Sequence, residues 1–103
     1  MVGTINVGEL CVDFDMRRVT VRGKHVALSP IEFRLLEVML RSQGRVLTSQ
    51  RILRDVWGVR CVRQMNYLRV YMNKLRHKIE RTPAQPEYLI NEPGVGYRLR
   101  IPN

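Results

Sequence analysis

A chain of 103 residues with 18 Lys and Arg against 9 Asp and Glu carries a formal charge of +9, mostly on arginine, whose planar fork matches phosphate. That balance points to a polyanionic partner, nucleic acid or an anionic membrane surface, while the length suits one domain burying roughly two-thirds of the surface of its unfolded chain. No apolar run reaches the roughly 20 residues of a membrane span and no signal peptide opens the chain, so a soluble, cytosolic protein is expected.

Up to residue 28 the apolar pattern has a period of two, and afterwards it becomes helical. Residues 5–7, 9–14, 18–22 and 24–28 read as short antiparallel strands, the last two joined tightly at Gly23. Ser29-Pro30-Ile31-Glu32 then reads as a helix start: a Ser cap, a Pro whose missing N–H is harmless there, and a Glu placed to complete a capping box. Over 31–40 apolar residues take most of the circumference, leaving Arg34, Glu37 and Arg41 as a narrow polar strip, so this helix is the expected centre of the core. Gly44 stops it, and Thr48 caps a second helix whose inward side is Ile52, Leu53, Val56 and Trp57. Gly58 ends that helix. A short basic connection over 59–64 leads into a long helix over 65–81, which Thr82-Pro83 terminates. Two further strands, 88–91 and 97–101, flank Glu92-Pro93-Gly94-Val95-Gly96 as a hairpin. In its second arm Tyr97, Leu99 and Ile101 alternate with Arg98 and Arg100, one face to pack and one to present cations. The whole is an α+β domain over 1–103, with a sheet at 5–28, a helical core at 30–81 and a hairpin at 88–101.

The helix over 65–81 has two incompatible faces. Met65, Leu68, Met72, Leu75 and Ile79 fall on one side at core spacing. Opposite them lie Asn66, Val70, Asn73, Lys74 and His77, with Arg69 and Arg76 along one edge and Tyr67 and Lys78 along the other. These side chains suit a DNA groove: Asn pairs bidentately with adenine, Lys reaches guanine acceptors, and Val meets a thymine methyl. A merely solvated face is the plain alternative, but nearly all the charge has one sign and repels itself without a polyanion.

Catalysis finds no support. His25 and His77 are far apart in sequence, no activated Ser or Cys arrangement is evident, and Gly94-Val95-Gly96 opens no helix as a phosphate loop does. Cys11 and Cys61 lack the paired spacing of a zinc site, so free thiols, no metal and no cofactor are expected. Structured RNA is an alternative ligand for so basic a chain, although the two Phe and the Trp all fall in core patterns and leave no stacking platform. A domain that serves only protein interaction is another.

Helix, turn, helix and a Gly-rich basic hairpin make the winged helix-turn-helix plan, and the residues resemble one family over nearly the whole chain. Leu28-Ser29-Pro30-Ile31-Glu32-Phe33-Arg34-Leu35-Leu36, Gly44-Arg45-Val46-Leu47-Thr48, Val56-Trp57-Gly58, Leu75-Arg76-His77-Lys78-Ile79 and Gly94-Val95-Gly96-Tyr97-Arg98 are similar to the effector domain of OmpR/PhoB-type response regulators. Asn66-Tyr67-Leu68-Arg69-Val70-Tyr71-Met72 and Asn91-Glu92-Pro93-Gly94 look most like the subfamily that regulates the Kdp potassium transporter. The resemblance implies a four-stranded N-terminal sheet, three helices and a C-terminal wing, acting in a bacterial two-component system as a sequence-specific transcriptional regulator. It puts the third helix in the major groove of double-stranded DNA and the wing on backbone or minor groove.

Carried over by position, Arg69, Val70, Asn73 and Lys74 fall where family members touch bases, and Asn66, Tyr67, Tyr71, Arg76 and His77 fall at or beside phosphate-contacting positions. Two readings stay open for Tyr71, half-buried packing or phosphate donation, and two for His77, phosphate contact or plain solvent exposure. Many relatives carry an arginine where this chain has Pro93, which leaves Asn91, Arg98 and Arg100 to make the wing contacts. Arg60 and Arg63 lie where relatives meet RNA polymerase; contact with DNA phosphates and a solvated loop are the other readings. The family binds direct repeats as head-to-tail dimers. It also carries an N-terminal receiver domain, for which 103 residues leave no room, so an isolated effector fragment is expected, and Asp13, Asp15 and Asp55 are not phosphoacceptors.

Overall fold

A computed structural model describes residues 2–101. Four short strands, β1 (Thr4–Val7), β2 (Leu10–Asp13), β3 (Arg18–Val21) and β4 (Lys24–Val26), form an antiparallel meander in sequence order. Its register sets Leu10 opposite Val21 and Val12 opposite Val19, so the apolar members of each alternation share the buried face. The expected strands are all present, β2, β3 and β4 shorter at their ends and β1 begun one residue earlier at Thr4; Phe14 and Leu28 lie outside them and still meet the core.

Helix α1 (Pro30–Arg41) starts with the capping box read from the sequence: Ser29 Oγ accepts the Glu32 N–H and Glu32 Oε1 accepts the Ser29 N–H. Its Phe33, Leu35, Leu36 and Met39 are buried at the centre of the molecule. The chain leaves α1 through Gln43 and Gly44, both left-handed at φ 54° and 86°. Helix α2 (Ser49–Trp57) carries the Thr48 cap on the Arg51 N–H, and a 3₁₀ turn (Val59–Cys61) links it to α3 (Met65–Ile79).

One strand escapes the sequence pattern. Leu47–Thr48 forms β5 and pairs with β7 (Gly96–Leu99), which pairs in turn with β6 (Leu89–Glu92), giving a second sheet of order β5-β7-β6. Two residues carry no period, so only the tertiary contact defines them. A Cβ on Gly96 would run into the Leu47 carbonyl, so this glycine serves close strand approach while Gly94, at φ 77°, makes the turn.

Three further expectations are corrected. Met65 is not a core anchor: it opens α3 at the rim of a cleft beside the hairpin and is 38% exposed. Ile101 does not extend the packed face of the wing; β7 ends at Leu99 and Ile101 is 52% exposed. Helix α3 stops at Ile79, because Glu80 turns extended at φ −82°, ψ 143°. Among the described residues no buried side-chain polar atom lacks a partner, and no helix is long and apolar enough to cross a membrane.

Candidate nucleic-acid interface

Leu68, Met72, Leu75 and Ile79 are at most 2% exposed and hold α3 against the core. Because that stripe is fixed, the opposite face is fixed too: Asn66, Arg69, Val70, Asn73, Lys74 and His77 are all exposed. Val70, 49% exposed, is an apolar side chain presented to water among amides and cations. Between Asp55 and Glu80 the sequence has no carboxylate, so nothing on α3 itself neutralises this face.

Several carboxylates outside α3 are held in ion pairs. Glu37 pairs with Arg34 at 2.8 Å, Asp55 with Arg54 at 3.3 Å, and Glu9 with Arg81 at 2.9 Å. Glu32 pairs with Lys78 at 2.6 Å, and Lys78 also donates to the Ala27 carbonyl at 3.0 Å, which draws that lysine off the exposed face.

Aromatic packing shapes one flank. Trp57, read as inward, is only partly buried, and Tyr71 meets it edge-on at 5.6 Å while Tyr67 lies tilted at 6.0 Å. Tyr71 is therefore half-buried against the tryptophan, and Lys74 Nζ sits 4.8 Å from the centre of its ring. Tyr67 is 45% exposed. His77 Nδ1 lies 2.8 Å from the Asn73 carbonyl; a carbonyl only accepts, so Nδ1 carries the proton.

Arg76 is not a free cation of the exposed face. Its Nε and Nη2 donate to the Leu89 carbonyl at 3.2 and 2.8 Å, and its guanidinium lies 5.6 Å from the centre of the Tyr97 ring. Sequence periodicity could not show this, since the carbonyl arrives from the hairpin. On the hairpin, Arg98 donates to Glu92 at 2.6 Å, whereas Asn91, Pro93 and Arg100 are exposed. The hairpin stands beside the start of α3, and a cleft between them is lined by Gln50, Met65, Asn91 and Val95. Arg60 and Arg63 are exposed on the link between α2 and α3.

Two residues at this junction were not singled out by the sequence. Glu80, 4% exposed, accepts the backbone N–H groups of Glu87, Tyr88 and Leu89. Tyr88, 1% exposed, accepts the Glu9 N–H on its hydroxyl at 2.9 Å and so ties the hairpin to the first sheet. The available signal was Glu80 itself: an anion at a helix C-terminus opposes the helix dipole and needs a tertiary partner.

Residues 23–99 match the family described as "Transcriptional regulatory protein, C terminal". The KDP operon transcriptional regulatory protein KdpE of Escherichia coli K12 is 42% identical over 97 residues, covering 94% of this chain and 43% of that protein. Sensory transduction protein RegX3 of Mycobacterium leprae is 40% identical over 97 residues, with 94% and 49% covered. This chain thus spans less than half the length of either regulator. The Klebsiella pneumoniae RstA DNA-binding domain, crystallised in complex with the RstA box, superposes with a TM-score of 0.84 at 27% identity over 93% of this chain and 95% of that one.

Proposed function

The chain belongs to the C-terminal domain family of OmpR/PhoB-type transcriptional regulators, and from that premise we propose that it binds double-stranded DNA sequence-specifically as the effector domain of a two-component response regulator. The observation that carries this reading is the carboxylate-free, solvent-facing side of α3, held outward by four buried anchors. That helix enters the major groove. Arg69, Val70, Asn73 and Lys74 read bases, by bidentate amide and cation contacts and by apolar contact with a thymine methyl. Asn66, Tyr67 and His77 bind phosphate, and Tyr71 supports Lys74 from the side.

Arg76 acts at the phosphate edge only through the N–H groups left over from its bond to Leu89. The wing meets backbone or minor groove through Asn91 and Arg100, with Arg98 contributing less because Glu92 already pairs with it. The similar RstA DNA-binding domain, crystallised in complex with the RstA box, supports DNA as the ligand. The parent protein carries a receiver domain, acts in the bacterial cytoplasm and pairs head to tail on direct repeats. Arg60 and Arg63 meet RNA polymerase or flanking phosphates.

Folded RNA is the weaker ligand class, because Phe14 and Phe33 pack on each other inside the core and offer no face for base stacking. Selection of bound duplexes from a random pool tests the reading. Enrichment of one motif repeated in the same orientation about one helical turn apart is expected. A pool that enriches nothing, with folded RNA competing as well as duplex, would overturn it.

A further inference from the structure

We infer that Glu80 is a positioning residue for DNA recognition: together with Arg76 it fixes the first wing strand to the C-terminal end of the recognition helix, so that helix and wing meet one duplex in a set phase. The inference rests on the DNA-binding reading above. Strand β6 is the edge of its sheet, and an edge strand presents a row of N–H and C=O groups that no neighbouring strand pairs. At Leu89 side chains from α3 and its cap take both groups. The N–H donates to Glu80 Oε2 at 2.9 Å, and the carbonyl accepts from Arg76 Nη2 at 2.8 Å. Glu80 Oε1 also accepts the Glu87 N–H at 2.8 Å, and the Tyr88 N–H lies 3.1 Å from each carboxylate oxygen.

A buried carboxylate is costly unless it is hydrogen-bonded, and a helix C-terminus does not favour it. Glu80 therefore stabilises nothing in α3 alone; its complement is the run of three N–H groups leading into β6. An apolar side chain of similar volume would fill the space and leave those donors unmet. The joint sits at one end of β6, and the wing turn around Gly94 lies at the other. When two contact surfaces are rigidly joined, binding of the second becomes intramolecular, so loosening the joint weakens binding without deleting any DNA contact.

The test is Glu80→Gln, which keeps the shape and turns one acceptor into a donor facing N–H groups. Binding of the folded variant to a selected duplex should weaken about tenfold. Hydroxyl-radical protection by the wing should disappear while methylation protection under α3 persists. In an Asn91→Ala/Arg100→Ala background the same substitution should change affinity by less than about twofold, because the contacts it phases are already gone. Unchanged affinity with both footprints intact overturns the inference, as does parallel fading of both footprints with the full loss in that background. If Glu80→Gln does not fold, Glu80→Asp, which keeps the charge but shortens the reach, is read by the same two footprints. Loss of folding in both assigns Glu80 to stability alone and also overturns it. A wild-type protein that shifts no duplex is a separate result, the failure of the DNA-binding reading itself.

Discussion

The ammonium of Lys78 lies 2.6 Å from Oε1 of Glu32, whose side chain is 3% exposed, and this pair joins the last turn of α3 to the first turn of α1. The same oxygen accepts the Ser29 N–H at 2.7 Å. Burial opposes ionisation of Glu32, but the hydrogen bonds from Lys78 and Ser29 outweigh it and hold the carboxyl below the usual glutamate range. Helix α3 is thus anchored by an ion pair to a buried carboxylate as well as by apolar packing.

A depressed folded-state pKa gives a contribution that is complete above the ordinary glutamate value of about 4.3 and disappears as pH falls through the folded one. Urea midpoints should drop on acidification below about pH 4.3, and Glu32→Gln should flatten part of that slope. Glu37 contributes to the slope that is left, since its carboxyl is also lowered: burial again opposes ionisation, and Arg34 and Arg41 prevail. At neutral pH Lys78→Met, which leaves the carboxylate buried without its cation, should cost about 1–3 kcal/mol. A Glu32→Gln profile parallel to wild type would refute the role of the pair.

Asn73→Ala and Lys74→Ala should each cost about 1–3 kcal/mol on the selected site and relax preference at one position, with little change on random duplex. Fluorescence anisotropy on both DNAs checks this. Equal losses on the two would remove these residues from base reading.

The wing arginines should differ. Arg100 is exposed, whereas Arg98 is held at 2.6 Å by Glu92, so Arg100→Ala should weaken binding more and reduce the salt slope by about 1. Binding curves at several ionic strengths distinguish them, and an Arg98→Ala loss as large as that of Arg100→Ala would contradict the assignment.

Gly96→Ala should destabilise the domain by about 1–3 kcal/mol, because its methyl overlaps the Leu47 carbonyl and parts β5 from β7. Gly94→Ala acts differently: nothing lies near the added methyl, and the strain comes only from φ 77°. Denaturant melts of the two variants give the comparison, and a Gly96→Ala midpoint equal to wild type would show that the strands tolerate separation.

The sequence contained what a period can encode. Four of the five α3 anchors are buried, as is the centre of α1, because repeated apolar spacing over several turns has one packing solution. Met65 broke the pattern at the helix end, where it lines the cleft beside the hairpin instead of the core. Strand β5 was illegible at two residues, and it exists because β7 passes beside it. Of the candidate site, the outward set Asn66, Arg69, Val70, Asn73 and Lys74 followed from the helix phase alone. The inward turn of Arg76 and the bracket made by Glu80 did not, since both depend on where Leu89 arrives from the hairpin.

The central claim, that the outward face of α3 reads duplex DNA, is tested most directly by titrating affinity against salt on a selected duplex and on a scrambled one. With about five to eight phosphates neutralised, log K should fall against log[salt] with a slope of about −4 to −7 on the selected site, and the scrambled duplex should bind more weakly throughout. A flat salt response, or equal affinity for the two duplexes at every salt concentration, would contradict it.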